Sequence, residues 1–152
     1  MQSRFERFSY DIFQIYKYWH KIAAEEMKHY GLKGSSAVYL TAISRCEGGI
    51  TAAQLGDICG RDKADVSRTM SAMKEKGLVV REEVNKNYYR ARLTLTEEGL
   101  RAAEHIEKRA GLAVELASKD ISEEHRTILY EALEMISLNL QSISEEGLPN
   151  HE

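Results

Sequence analysis

The stretch TAAQLGDICGRDKADVSRTMSAMKEKGLVVREE, Thr51 to Glu83, opens two helices within a dozen residues and separates them by only a short turn. Thr51 stands at the N-cap of the first, with Gln54 at the capping-box position, and that helix is predicted to reach about Cys59. Asp62 caps the second, with Asp65 three residues on, where acids meet the positive end of a helix; this one ends at Gly77. Helices this short are marginal alone, so the pair must be held by neighbours. In the second, Val66, Met70 and Met73 recur at steps of 4 and 3 and turn inward. That sends Lys63, Ser67, Arg68, Ser71 and Lys74 outward.

After Gly77 the period changes from helix to strand. LVVREEV is β-branched and apolar, NKNYY reads as a turn, and RARLTL alternates Arg90, Arg92 and Thr94 with Ala91, Leu93 and Leu95. Two helices joined tightly and followed at once by an antiparallel hairpin form a helix-turn-helix with a wing. Working outward, Phe5, Phe8, Ile12, Ile15, Trp19 and Ile22 mark a long amphipathic first helix that runs to about Tyr30 and stops at Gly31. A second helix, about 36–46, is capped by Ser35 or Ser36 and packs Val38, Leu40, Ala42 and Ile43. Thr96 caps a fifth helix, to about Ala117, and Ser122 opens a sixth. The expected fold is mainly α with a small β-hairpin wing: a winged helix-turn-helix at 36–99, flanked by a helical dimerisation region at 1–35 and 100–148.

Composition is that of an ordinary globular, mostly helical chain: 152 residues, 43% hydrophobic and 30% charged, with one Pro and ten Gly. The net charge of −3 argues against a nucleic-acid partner until its distribution is considered. Residues 51–95 hold nine Lys/Arg against six acids, a local +3, while the remainder carries twelve against eighteen, or −6. An acidic body with a basic module suits a phosphate-binding face. The outward residues of the second helix suit a major groove. Arg68 can grip guanine O6 and N7, Ser67 and Ser71 can serve base or phosphate, and Lys63 and Lys74 reach phosphates. On the hairpin, Lys86, Arg90 and Arg92 are the candidate DNA contacts.

Enzyme chemistry finds no support. His20, His29, His105, His125 and His151 are scattered, there is no HExxH, GxSxG or phosphate-cradling glycine loop, and the adjacent Glu pairs point apart. No cofactor and no metal are expected. Cys46 and Cys59 form neither a CxxC nor a zinc pattern and read as buried thiols. The N-terminus lacks a basic-then-apolar leader and no apolar run approaches membrane-spanning length, so a cytoplasmic protein without a membrane partner is expected.

Across GGITAAQLGDICGRDKADVSRTMSAMKEKGLVVREE and RARLTLTEEGLRAAEHI the chain resembles the MarR family of bacterial winged-helix transcription regulators. The resemblance spans roughly residues 10–145 in element order and is strongest over 50–100. It implies a homodimer whose first and last helices interlock, while two winged helices reach successive major grooves of a pseudo-palindromic operator. It also implies a repressor, released by a small lipophilic or aromatic effector held between the dimer helices and the DNA-binding lobe. Here Tyr16, Trp19, His20, Tyr39 and Ile43 would line that crevice. The family's wing carries Asp-x-Arg where this chain has Asn87 and Tyr89, so the minor-groove contact shifts to Arg90 or Lys86, or is absent.

Self-association is also expected from the residues alone. The seam of Phe5, Phe8 and Ile12, with that of Ile136, Leu140 and Ile143, exceeds what one winged helix can cover, and a second copy is the simplest cover. Two other readings stand beside a DNA-binding regulator: a winged-helix module that binds protein, and a regulator that senses redox state through its cysteines.

Overall fold

The computed structural model describes residues 3–84 and 87–149, with the side chains of 83–90 outside that description. Its elements in chain order are α1 (Arg4–Lys28), α2 (Ser36–Ser44), α3 (Ala52–Cys59), α4 (Lys63–Glu75), β1 (Val79–Val84), β2 (Asn87–Leu95), α5 (Glu97–Ala117) and α6 (Glu123–Glu146). They divide into two compact units, Met1–Gly111 and Leu112–Glu152, with α5 contributing to both. The mainly helical fold with one antiparallel hairpin is the one the sequence predicts.

Capping side chains set most of the helix starts in the first unit. Ser3 and Glu6 form a reciprocal capping box on α1, and Thr51 and Gln54 form another on α3. Asp62 Oδ1 accepts from the Asp65 N–H at 2.8 Å at the start of α4. The expected serine cap on α2 does not form. Ser35 occupies the N-cap position with helical backbone angles and no capping bond, and a preceding turn takes over, with Ser36 N–H on the Lys33 carbonyl at 2.9 Å. That turn lies hard against α1: a Cβ on Gly34 would stand 2.8 Å from the Ala24 backbone nitrogen, closer than side chains are tolerated.

One apolar cluster joins the elements. Met27 of α1, Tyr39, Leu40 and Ile43 of α2, Leu55 of α3, and Val66, Met70 and Met73 of α4 are all buried in it. Leu78, Val79 and Leu93 close it from the wing, and Ala102, Ala103 and Ile106 from α5. Each large side chain buried this way contributes roughly 1.5–3 kcal/mol, which holds short α3 and α4 in place. The inward stripe of α4 is the one read from its spacing.

The wing departs from the sequence reading in two respects. Pairing runs from Val79↔Leu95 to Glu82↔Arg92 and shifts register before Val84↔Asn87, so Asn87, Tyr88 and Tyr89 belong to β2 and not to a turn. Tyrosines favour the pleated surface, and strand pairing outweighs the turn signal of the two asparagines. The second departure is an added partner: Ile50 and Leu93 exchange both backbone hydrogen bonds, at 3.0 and 2.8 Å, adding a one-residue rung to the hairpin. Gly49 makes that rung possible. Its φ is +83°, and a Cβ there would stand 2.7 Å from Thr94 Cγ2 and 2.9 Å from the Leu93 carbonyl.

Thr96 fastens the wing to α5. Its Oγ1 donates to the Gly77 carbonyl at 2.6 Å and accepts from the Gly99 N–H at 3.0 Å, while its own N–H reaches the Leu78 carbonyl at 3.0 Å. In the second unit, Ser122 caps α6 by accepting from the His125 N–H, and Arg126 donates to the Ser118 and Ile121 carbonyls. No residue of α6 is buried.

Candidate nucleic-acid interface

The site is built on α4, and the turn before it decides where α4 points. Gly60 ends α3 in the left-handed conformation, φ 60°, and the Arg61 N–H returns to the Gly56 carbonyl at 2.9 Å. A Cβ on Gly56 would stand 3.0 Å from the Arg61 carbonyl, a close approach that the missing side chain relieves. Asp62 then starts α4 after two residues.

Lys63, Ser67, Arg68, Ser71 and Lys74 are all exposed, as their spacing against the inward stripe requires. The structure groups them unequally. Lys63, Ser67, Ser71 and Lys74 form one lip of a groove of about 710 Å³ between α3, α4 and the wing, whose floor includes Val66, Met70, Val79, Ala91 and Leu93. Arg61 and Arg81 add two more cations to this groove, against the single carboxylate of Asp57. Neither was among the sequence candidates; the local excess of positive charge was the signal that could have found them. Arg68 stands outside the groove lining, beside Asp65, with 3.8 Å between Nη2 and Oδ1.

The wing candidates fare differently from one another. Lys86 lies outside the described residues, and the side chain of Arg90 lies outside the described side chains. Arg92 is engaged: Nη1 donates to the carbonyls of Gly48 and Gly49 at 3.2 and 3.0 Å. It fastens the wing to the loop between α2 and α3.

The five residues assigned to an effector crevice are not brought to one surface. Tyr39 and Ile43 are buried in the core, while Tyr16, Trp19 and His20 lie along α1, with the Tyr16 and His20 rings 4.2 Å apart. Tyr39 donates from its hydroxyl to Asp65 Oδ2 at 2.6 Å, and burial, reinforced by this bond, pushes its pKa well above the ordinary value. Of the interface candidates, Phe5 is 77% exposed, Phe8, Ile12, Leu140 and Ile143 are exposed, and Ile136 is half-buried.

Burial raises the pKa of the half-buried Cys59 thiol, opposed by nearby Arg61; this works against a reactive thiolate. Among the described residues no group of three His, Cys, Asp or Glu is placed to hold a metal ion. No helix among them is long and apolar enough to cross a membrane.

Residues 30–86, which span α2 to the hairpin, match the MarR family. No curated protein matches the sequence. Among solved structures, a MarR family transcriptional regulator from Listeria monocytogenes complexed with a 26mer DNA superimposes with a TM-score of 0.80 at 24% identity, covering all of both chains. A SlyA-like transcription regulator from the same organism gives the same values. A MarR transcriptional regulator from Methanosarcina mazei Go1 has a TM-score of 0.81 at 23% identity, over 91% of this chain and 99% of its own. From α2 into the hairpin the sequence thus matches the MarR family, and the chain as a whole has the fold of these solved regulators.

Proposed function

We propose that this chain is a sequence-specific, double-stranded DNA-binding transcription regulator that acts as a homodimer in the cytoplasm. The observation that carries this reading is the exposed face of α4, where Lys63, Ser67, Ser71 and Lys74 line one groove lip and Arg68 stands alongside. Cations for phosphate and an arginine for base edges are what major-groove recognition demands. The Listeria structure is of a protein of this fold complexed with a 26mer DNA, which supports the same use here.

Dimerisation rests on the apolar surfaces of α1 and α6, where Phe5, Ile12, Ile15, Leu138 and Leu140 are exposed in the single chain. A two-fold dimer would present two α4 helices to a pseudo-palindromic site and act by occluding a promoter. A lipophilic effector would meet Tyr16, Trp19 and His20, since Tyr39 and Ile43 have no open surface.

Retardation of a fluorescent pool of random duplexes at low salt, and its release as salt rises, tests the function. Arg68→Ala should flatten preference among selected duplexes by about 1–3 kcal/mol. A wild-type protein that retards no duplex even at low salt would leave the protein-binding module as the better reading.

A further inference from the structure

Tyr39 is a phenol in a position that only needs a hydrocarbon. It is fully buried among Leu40, Ile43 and the inward face of α4, where phenylalanine would fill the same space. Among the described residues its hydroxyl has one hydrogen-bond partner, Asp65 Oδ2 at 2.6 Å. Asp65 lies in the first turn of α4, with its N–H held by Asp62 Oδ1. One carboxylate oxygen is therefore fixed from inside the core. The other, Oδ1, faces Arg68 Nη2 at 3.8 Å on the outer surface.

We propose that Tyr39 is a positioning residue for base reading: by clamping Asp65, it sets the direction in which Arg68 leaves the recognition helix. The assignment rests on the reading of α4 as the DNA-reading element. Arg68 is 71% exposed on its side chain, and an ion pair in such a setting contributes little to stability. Its effect is on freedom. An unconstrained arginine samples many rotamers and must be ordered when it meets a base, whereas one biased toward a fixed carboxylate loses less on binding. The clamp works because its other end is immobile. Burial keeps the proton on the Tyr39 oxygen, so the phenol donates and the carboxylate accepts, leaving Oδ1 free to attract the guanidinium.

The test uses the full-length protein and a pool of randomised DNA duplexes, selected by binding and sequenced, with Tyr39→Phe, Asp65→Asn, Arg68→Ala and the Tyr39→Phe/Arg68→Ala pair. Tyr39→Phe should retain the salt dependence of binding and lose about fivefold in discrimination at the base position that Arg68→Ala flattens. The double variant should lose no more than Arg68→Ala alone, because both act through one guanidinium. Asp65→Asn keeps an acceptor for Tyr39 but removes the charge facing Arg68, and should show the same loss, so the proposal is tested even if Tyr39→Phe folds poorly. Full discrimination in both Tyr39→Phe and Asp65→Asn, with Arg68→Ala flattened, overturns the positioning role and leaves α4 as the reader. Additive losses in the double variant also overturn it, since Tyr39 would then act elsewhere. An Arg68→Ala protein with unaltered preference removes the premise, and base reading by Arg68 fails with it.

Discussion

Arg109 donates from Nε to the Glu26 carboxylate at 2.8 Å, joining α5 to α1 within the first unit, and His105 Nε2 lies 3.3 Å from the other oxygen of the same carboxylate. Glu26 is the least exposed member, at 15%. The Arg109 hydrogen bond is the chief cause holding the Glu26 pKa below its ordinary 4.5, against an opposing desolvation and with help from His105. A carboxyl depressed in the folded state stabilises the fold above its unfolded pKa, and that gain is lost as pH falls through the folded value. Glu26→Gln should therefore lower stability at neutral pH by about 1 kcal/mol and reduce the loss seen on acidification below pH 4.5. Urea melts at neutral and acid pH measure both effects; a variant with an unaltered acid limb would remove Glu26 from the account.

Two glycines on α5 should respond to alanine with opposite sign. A Cβ on Gly99 collides with the Leu78 carbonyl oxygen, which belongs to backbone that cannot swing away, while a Cβ on Gly111 meets nothing within 4 Å. Gly99→Ala is expected to destabilise by about 2–4 kcal/mol, and Gly111→Ala to stabilise by about 0.5–1 kcal/mol through helix propensity. Thermal melts of the two variants settle the matter.

Arg92 should behave as a strut. Its bonds to Gly48 and Gly49 predict that Arg92→Ala lowers stability by about 1 kcal/mol and barely alters the salt dependence of DNA binding. Lys74→Ala, from the groove lip, should reduce the slope of log affinity against log salt by roughly 0.9 with little change in stability. Titrations at several salt concentrations compare them, and a full unit of slope lost in Arg92→Ala would return that residue to the DNA-contacting set.

The paired substitution Ile136→Asp with Leu140→Asp places charge on the apolar face of α6. If that face is covered by a second copy, two unpaired carboxylates cost several kcal/mol and the dimer gives way to monomer or aggregate. Light scattering reports the mass, and an intact, stable dimer would locate the interface elsewhere.

Most of the helices were legible because they carry their own punctuation; α2, whose serine makes no cap, is the exception. Thr51 with Gln54, Asp62 with its first turn, and Ser122 name their starts, and Val66, Met70 and Met73 name the buried face of α4. What escaped was non-local. Ile50 pairs with Leu93 across forty-odd residues, and a one-residue rung has no period to detect. Arg92 alternates on the exposed face as a DNA contact would, and nothing in the local sequence says that its guanidinium is occupied by Gly48 and Gly49. Tyr39 and Ile43 were read with the aromatics of α1 because helical spacing gives the face but not the neighbour that fills it.

The rung at Ile50 and the Arg92 bonds give the hairpin a stiff root attached to the loop between α2 and α3. From Leu93 to Asn87 the strand extends about 20 Å at ~3.3 Å per residue, so it is a lever whose fulcrum lies far from its end. A tilt of roughly 10° at that root carries the Asn87 end about 3.5 Å, enough to break or make a phosphate contact. A shift of that loop would thereby be amplified where the wing would meet a duplex.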